Sequence, residues 1–366
     1  MPELPEVETI RLGLQDKIIG LRIFDIEVRV AKIFQGDPKE VIGAKIKNIS
    51  RRAKILIFDL DNGKSLVIHL KLTGQLVYHK LLRSRTAEYP FGQVSSLLRS
   101  SPQQAARYSR SLNKKGASAT FGHPIPFAGT ILPAKTTHVI FTFSDGSKLF
   151  YNDVRKFGWI KIVQSSKLKV QSFLKDLGPE PPVTDSSENN LTIEQFNNMA
   201  SKGNIPIKVL LMDQKKIAGV GNIYANEALF LAGINPQRKA NTLLGREIEK
   251  LYRSLLLVLK EGIKYGGSSE NAYVNALGDF GKMQEHFRVY NRKGESCPNR
   301  CGGIIKRNLN MANGYTEKIV MSVGGSLIVP NGGIDTDFLS KLNSFVREQL
   351  SGSARQLFLV AGGGAT

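Results

Sequence analysis

Cysteine is scarce: the 366-residue chain holds only Cys297 and Cys301. That excludes a disulfide framework and suits a reducing compartment. Acidic residues are also few, 31 against 51 lysines and arginines, which leaves a net charge of +20. Such an excess points to a polyanionic partner, most simply a nucleic acid. A generically basic, well-solvated surface is the lesser alternative on charge alone. Long apolar runs are missing. None approaches the ~18 residues that a membrane helix needs, so no membrane span is expected. Residue 3 is acidic and no apolar h-region follows, so no secretory signal is expected. The expected location is cytoplasmic and nucleoid-associated. Apolar residues make up 41% of the chain. That is enough for buried cores in two or three domains, and it excludes a disordered basic tail.

What is present begins with Met1-Pro2-Glu3-Leu4-Pro5-Glu6. Removal of Met1 would leave Pro2 as a free secondary amine with an ordinary pKa near ~8. Such an amine is partly unprotonated at neutral pH. It can attack a carbonyl carbon to give an iminium, an electron sink like that of Schiff-base lysines. Glu3 adjoins it as an acid or base. The plainer reading is that the prolines only stiffen the start of a helix over residues 5–15, where the early carboxylates Glu6 and Glu8 suit the N-terminus.

Strands are predicted over 23–30, 45–50, 55–60, 65–70, 137–143 and 149–152, with turns at Asp61-Asn62-Gly63 and Ser144-Asp145-Gly146. Arg51-Arg52-Ala53-Lys54 places three cations at a strand junction, where they could face a phosphate backbone. His69, Lys71, Thr73 and Gln75 alternate with Leu70, Leu72 and Leu76, as along a strand with one polar face. Residues 81–133 are rich in arginine with a single acid, Glu88. They read as an inserted basic loop, solvated sooner than bound to DNA. Arg155 beside Phe157 on a tight turn suits a duplex wedge. The ring fills a gap in the stack and the guanidinium replaces lost base hydrogen bonds. Taken alone, Phe157 and Trp159 read as core residues.

Residues 164–190, with Gly178-Pro179-Glu180-Pro181-Pro182, read as an interdomain linker. A helix capped by Thr192 and Gln195 opens the second half, followed by helices over 206–213, 223–231 and 246–265. The loop 268–284 carries Gly278 and Gly281, which allow close approach to a ligand. Cys297 and Cys301 form half of a zinc-ribbon signal, with three intervening residues instead of two and no later cysteine or histidine. A helix is predicted over 335–350, an apolar run over 357–360, and a loose Gly362-Gly-Gly end.

Several motifs now stand in a fixed order. They are Pro2-Glu3-Leu4-Pro5-Glu6-Val7-Glu8-Thr9, Arg51-Arg52-Ala53-Lys54, Asp153-Val154-Arg155-Lys156-Phe157-Gly158, Leu177-Gly178-Pro179-Glu180-Pro181, Leu211-Met212-Asp213 through Gly219-Val220-Gly221-Asn222-Ile223-Tyr224-Ala225-Asn226-Glu227, and Val289-Tyr290-Asn291-Arg292-Lys293-Gly294-Glu295 with Cys297. Together they resemble bacterial formamidopyrimidine-DNA glycosylases over residues 2–80 and 134–307. The resemblance implies an α+β protein. Its parts are an N-terminal β-sandwich flanked by helices (1–163, with the insertion 81–133), a linker (164–190) and an all-α helix-two-turn-helix domain (191–284). A degenerate zinc-finger-like β-ribbon (285–325) and a divergent tail (326–366) complete it.

The resemblance also implies a base-excision-repair enzyme. It would remove 8-oxoguanine and formamidopyrimidines and cleave the abasic site by β,δ-elimination through a Pro2 iminium. Pro2 matches the nucleophile, Glu3 the proton-transfer carboxylate and Lys54 the lysine that contacts phosphate and assists elimination. Glu6, Ala272 and Tyr273 match the lesion pocket. His69, Lys208, Asn222 and Tyr290 match phosphate contacts; Arg292 is a further DNA-binding position. Leu72, Arg155 and Phe157 match the wedge, with Arg155 facing the orphaned cytosine. Zinc is expected for the family, yet Cys297 and Cys301 are an incomplete ligand set; no organic cofactor is implied. The expected partner is damaged double-stranded DNA and the expected state a monomer. Val154 and Leu72 stand where the family commonly has proline and methionine. The altered cysteine spacing and the end of similarity near Arg307 also fit a tail out of frame with its ancestor. A second reading is a non-catalytic DNA-binding protein of the same fold, impaired by its finger. A ribosomal-type RNA binder explains the charge but not the N-terminal motif.

Overall fold

The computed structural model describes residues 1–80, 132–165, 174–184, 189–269, 275–276, 280–307, 317–323, 335–350 and 355–361. Nearly all of the expected insertion lies outside these residues, as do Ala272, Tyr273, Gly278 and the Gly362-Gly-Gly end. By contacts the chain divides into two compact units, Met1–Asn291 and Arg292–Thr366.

The first unit opens with α1 (Leu4–Ile18), longer than expected at both ends. Its start is fixed by the Glu3 backbone N–H, which donates to Glu6 Oε2 at 2.8 Å. Val7, Ile10, Leu14 and Ile18 recur at helical spacing and are all fully buried. Each such side chain contributes roughly 1.5–3 kcal/mol by leaving water. They pack against two sheets. One runs β1-β7-β8-β6, formed by Ile23–Val28, Thr137–Phe143, Lys148–Asp153 and Gly74–His79. The other runs β2-β9-β5-β4-β3, formed by Phe34–Gln35, Trp159–Gln164, Lys64–His69, Ile55–Leu60 and Ile46–Arg52. Alternation explains the unbroken apolar run in β4. Leu56, Phe58 and Leu60 join the core between the sheets, while Ile55 and Ile57 lie on the other face with Leu174 and Leu177 packed nearby.

Two readings of local sequence are corrected here. Residues 69–76 are not one half-polar strand: β5 ends at His69 and a turn through Lys71, Leu72 and Thr73 leads into β6. Lys71 sits at φ 52°, the left-handed backbone of a turn. Nor do Arg51 and Arg52 face outward. Arg51 is 2% exposed and bridges Glu8, at 2.9 Å, and Glu180. Arg52 also pairs with Glu180. Glu180 is itself fully buried, so the proline-rich stretch is pinned to the sandwich and is no slack connector.

The helical part follows the predicted caps closely. Thr192 and Gln195 form the reciprocal box that opens α2 (Ile193–Ser201). Next come α3 (Ile207–Met212), α4 (Asn222–Ala232) and α5 (Gly245–Lys264). Gly233, at φ 73°, ends α4 in the left-handed conformation that glycine adopts without penalty. A core of Phe196, Leu210, Tyr224, Leu251, Leu255 and Met283 holds these helices together.

In the second unit, residues 294–305 form a short antiparallel ribbon. Gly294 N–H donates to Ile305 O at 2.9 Å, Ile305 N–H to Glu295 O at 2.9 Å, and Cys297 N–H to Gly303 O at 2.8 Å. Further on, β10 (Glu317–Val323) pairs in parallel with β11 (Arg355–Ala361), and α6 (Thr336–Leu350) lies between them in sequence. The boundary expected at residue 325 thus falls between two strands that pair.

Candidate active site and nucleic-acid interface

The N-terminal segment is drawn into the first unit beside the start of α4. Pro2 is buried and Glu3 is 2% exposed. Glu3 Oε2 accepts the Gly221 N–H at 2.7 Å, and Oε1 accepts the Ile223 N–H at 2.8 Å. A helix N-terminus offers unpaired N–H groups and a partial positive charge, so a carboxylate fits there. Glycine at 221 is required by this approach, because a Cβ there would lie 2.4 Å from the Glu3 carboxyl carbon. Burial dominates the acidity of Glu3, pushing its pKa up to about 7 against the opposing pull of Lys54.

Lys54 enters from the other side. Its Nζ donates to Val220 O at 2.9 Å, so it and Glu3 are anchored on consecutive residues of one turn. Burial lowers its pKa, opposed by Glu3 and Glu6. Burial also lowers the pKa of the amino terminus at Met1, again opposed by the two carboxylates. Ala53, at φ 52°, delivers Lys54 to this position, and its N–H is held at 2.8 Å by Glu180 Oε1.

Glu6 ties three parts of the unit together. Its carboxylate accepts the Glu3 N–H, the Tyr224 hydroxyl at 2.7 Å and the Ser268 N–H at 2.9 Å. Gly262 leaves room for Tyr224, since a Cβ there would meet the hydroxyl at 2.4 Å. Glu6 thus touches the start of the loop in which Ala272 and Tyr273 were expected; those two lie outside the described residues.

Among the expected DNA-binding positions, His69 lies in β5 with Nδ1 accepting the Lys71 N–H at 3.0 Å. That bond leaves the proton on Nε2. Burial, with Lys71 and Lys54 nearby, lowers the pKa of His69 to about 3, so the ring is neutral. Arg155 and Phe157 are exposed on the turn after β8, the guanidinium 4.9 Å from the ring centroid. Phe157, 51% exposed, is therefore no core residue. Asn222 is exposed at the first turn of α4, and Lys208 is half-buried in α3. Tyr290 is held by its backbone N–H, which donates to Glu227 Oε1 at 2.8 Å.

Glu227, Glu180, Tyr224 and Asp153 are the positions that sequence reasoning missed. All four stand in the strings that carry the resemblance but were given no role; a charged residue flanked by prolines, as Glu180 is, and an acid on an otherwise apolar helix, as Glu227 is, were further signals. In the second unit, Arg292 pairs with Glu295 at 2.8 Å. Gly303 and Cys297 hold the exposed Cys301 thiol below its usual pKa. Beyond His286 the sequence has no histidine and no cysteine other than Cys297 and Cys301. Among the described residues no cluster of three or more metal-ligating side chains occurs. Structural zinc takes four ligands, so the donor set does not fit.

A family model for the formamidopyrimidine-DNA glycosylase N-terminal domain matches residues 1–160, and one for the H2TH domain of the same enzymes matches residues 177–273. The chain belongs to the formamidopyrimidine-DNA glycosylase family. A Pelotomaculum thermopropionicum formamidopyrimidine-DNA glycosylase is 37% identical over 321 residues, 86% of this chain and 97% of its own length. One from Streptococcus pneumoniae is 33% identical over 90% of this chain and 98% of its own. The fold matches a Lactococcus lactis Fpg solved with DNA containing an abasic site, at TM-score 0.63 and 31% identity, over 83% of this chain and 93% of that one. Another structure, of the wild-type Lactococcus lactis protein with DNA containing N7-benzyl-Fapy-dG, matches at TM-score 0.63 and 32% identity, over the same shares of the two chains. As a formamidopyrimidine-DNA glycosylase, the chain is a DNA glycosylase of base excision repair. No helix among its described residues is long and apolar enough to cross a membrane.

Proposed function

We propose that this glycosylase, once Met1 is removed, acts on oxidised purines in duplex DNA through the Pro2 amine and then cleaves the strand as an abasic-site lyase. The amine attacks C1′ as the glycosidic bond breaks and the base leaves with its electron pair. Opening of the sugar ring gives an iminium between Pro2 and C1′. Loss of a C2′ proton then expels the 3′ phosphate, and a second elimination expels the 5′ phosphate. The observation that carries this reading is the pairing of Glu3 and Lys54 on Gly221 and Val220 beside the amino terminus. Burial lowers the pKa of the amino terminus at Met1; a Pro2 amine exposed in the same buried surroundings would likewise be favoured in its unprotonated, nucleophilic form. Glu3, poised near neutrality, can both give and accept a proton. Lys54 supplies positive charge where the phosphate departs.

Damaged DNA is the proposed partner. The neutral His69 would donate from Nε2 to a phosphate, with Lys208, Asn222 and Tyr290 as further backbone contacts and Arg292 a contact from the second unit. The exposed Arg155–Phe157 pair would enter the stack. The incomplete cysteine set keeps a second reading in view: DNA binding of the same kind without lesion processing.

Borohydride trapping separates the two. Met1-processed protein is incubated with a duplex holding one 8-oxoguanine opposite cytosine, with Pro2→Gly as control. A covalent adduct that needs both lesion and Pro2 establishes the glycosylase and lyase. Absence of adduct, even on a preformed abasic site and with DNA binding intact, establishes the binding-only protein.

A further inference from the structure

Two turns carry the proposed wedge. Leu72 lies on the turn between β5 and β6; Arg155 and Phe157 lie on the turn between β8 and β9. They are far apart in sequence, yet one buried side chain binds both. Asp153, 0% exposed, accepts the Thr73 hydroxyl and the Arg155 N–H on Oδ1 and the Gly158 N–H, at 2.8 Å, on Oδ2. The Arg155 N–H also lies 3.1 Å from Thr73 Oγ1. The carbonyl of Asp153 is in turn 2.7 Å from His138 Nε2. The backbone adds a further join, with Gly74 opposite Asp153 in the β6–β8 ladder.

The second turn has little freedom to shift by itself. Lys156 is in the left-handed region at φ 55°. Gly158 is packed so closely that a Cβ would lie 1.9 Å from the Tyr151 hydroxyl and 2.8 Å from the His69 carbonyl oxygen. That places the phosphate-contact candidate His69 against the base of the same turn. The Thr73 hydroxyl is the one side-chain group that passes from the Leu72 turn to the Asp153 carboxylate in these contacts.

We propose that Thr73 and Asp153 form a latch that fixes the two wedge turns in register, and that this latch sets discrimination between bases opposite the lesion. Both are positioning residues. The inference rests on the proposed role of Arg155 and Phe157 in duplex DNA. A guanidinium reads an orphaned base through directed hydrogen bonds, which fail when the donor moves by a fraction of an ångström. An apolar wedge such as Leu72 tolerates that movement. Freeing the latch should therefore blunt base discrimination more than it weakens binding.

The test compares wild type, Thr73→Val and Thr73→Ser on duplexes with a tetrahydrofuran abasic analogue opposite cytosine or adenine. Binding to this analogue needs no catalysis, so a protein without lesion processing still reports on the latch. The expected result is a cytosine-to-adenine affinity ratio that falls on the order of tenfold in Thr73→Val, the size of one charge-assisted hydrogen bond, and returns in Thr73→Ser. Thermal melting within a few degrees of wild type accompanies it. An unchanged ratio in Thr73→Val overturns the latch. Equal weakening on both duplexes also overturns it, because general damage does not distinguish the opposite base. A wild type with no base preference at all overturns it as well, whereas failure of borohydride trapping strikes only the proposed chemistry.

Discussion

The carboxylate of Glu3 accepts a hydrogen bond from the backbone N–H of Ile223, 2.8 Å away, in the first turn of α4. This couples the residue after the proposed nucleophile to a helix of the other half of the unit. The helix end favours the charged form of Glu3; burial opposes it and wins, leaving the pKa at about 7.

Stability should depend on pH through this carboxylate. Glu3 is protonated in the folded protein over a range in which the unfolded chain, at about 4.5, has already lost the proton. Its contribution to stability is full below about pH 4.5 and is lost as pH rises through about 7, a change on the order of a few kcal/mol. Wild type should therefore lose stability relative to Glu3→Gln between pH 4.5 and 8 in urea denaturation. Glu3→Gln should also slow base excision by roughly 10²–10⁴, the usual range for a positioned acid or base. A flat stability difference across the window would contradict the assignment.

His69 has the opposite sign. Its folded pKa of about 3 lies below the ordinary 6.5. Stability from this site is intact above about pH 6.5 and is lost as pH falls toward 3. A His69→Asn variant should show a shallower loss of stability than wild type on going from pH 7 to 4.5. Parallel losses would mean that the ring is not held neutral.

Removal of the Tyr224 hydroxyl strips one donor from the buried Glu6 carboxylate while the Glu3 and Ser268 N–H groups remain. Tyr224→Phe should cost about 1–3 kcal/mol in chemical denaturation. No measurable change in the midpoint would show that the hydroxyl is not needed there.

Glu180→Gln should be more damaging. The carboxylate is buried with Arg51 and Arg52 on either side and with the Ala53 N–H. Breaking a buried ion pair by removing one partner typically costs about 3–5 kcal/mol. Because the same residue holds the turn that delivers Lys54, strand cleavage at a preformed abasic site should slow beyond what the stability loss explains. Unchanged cleavage by the folded fraction would separate Glu180 from the placement of Lys54.

Local signals in the sequence were dependable. Thr192 with Gln195, Gly233, and the turns at Asp61 and Ser144 each act within a few residues, and each appears where expected. The proposed catalytic positions were legible because Pro2, Glu3 and Lys54 sit in distinctive strings. What escaped was long-range pairing. Arg51 and Arg52 looked like DNA contacts because their partners, Glu8 and Glu180, are distant in sequence. Leu72 was read into a strand because alternation continues across a turn that only the left-handed Lys71 reveals. Asp153 and Glu227 organise backbone N–H groups; an acid on an apolar helix hints at Glu227, but nothing local in the sequence shows which distant groups either carboxylate holds.

The docking of Glu3 onto α4 has a spectroscopic consequence. The amide protons of Gly221 and Ile223 point at a carboxylate two residues from the chain start, so their magnetic resonance shifts should track the charge of Glu3. Trimming of Met1 exchanges a primary amine for a secondary one beside that carboxylate and should move the same two resonances. Two backbone signals deep in the helical half would then report, without substrate, what fraction of a preparation carries the trimmed end.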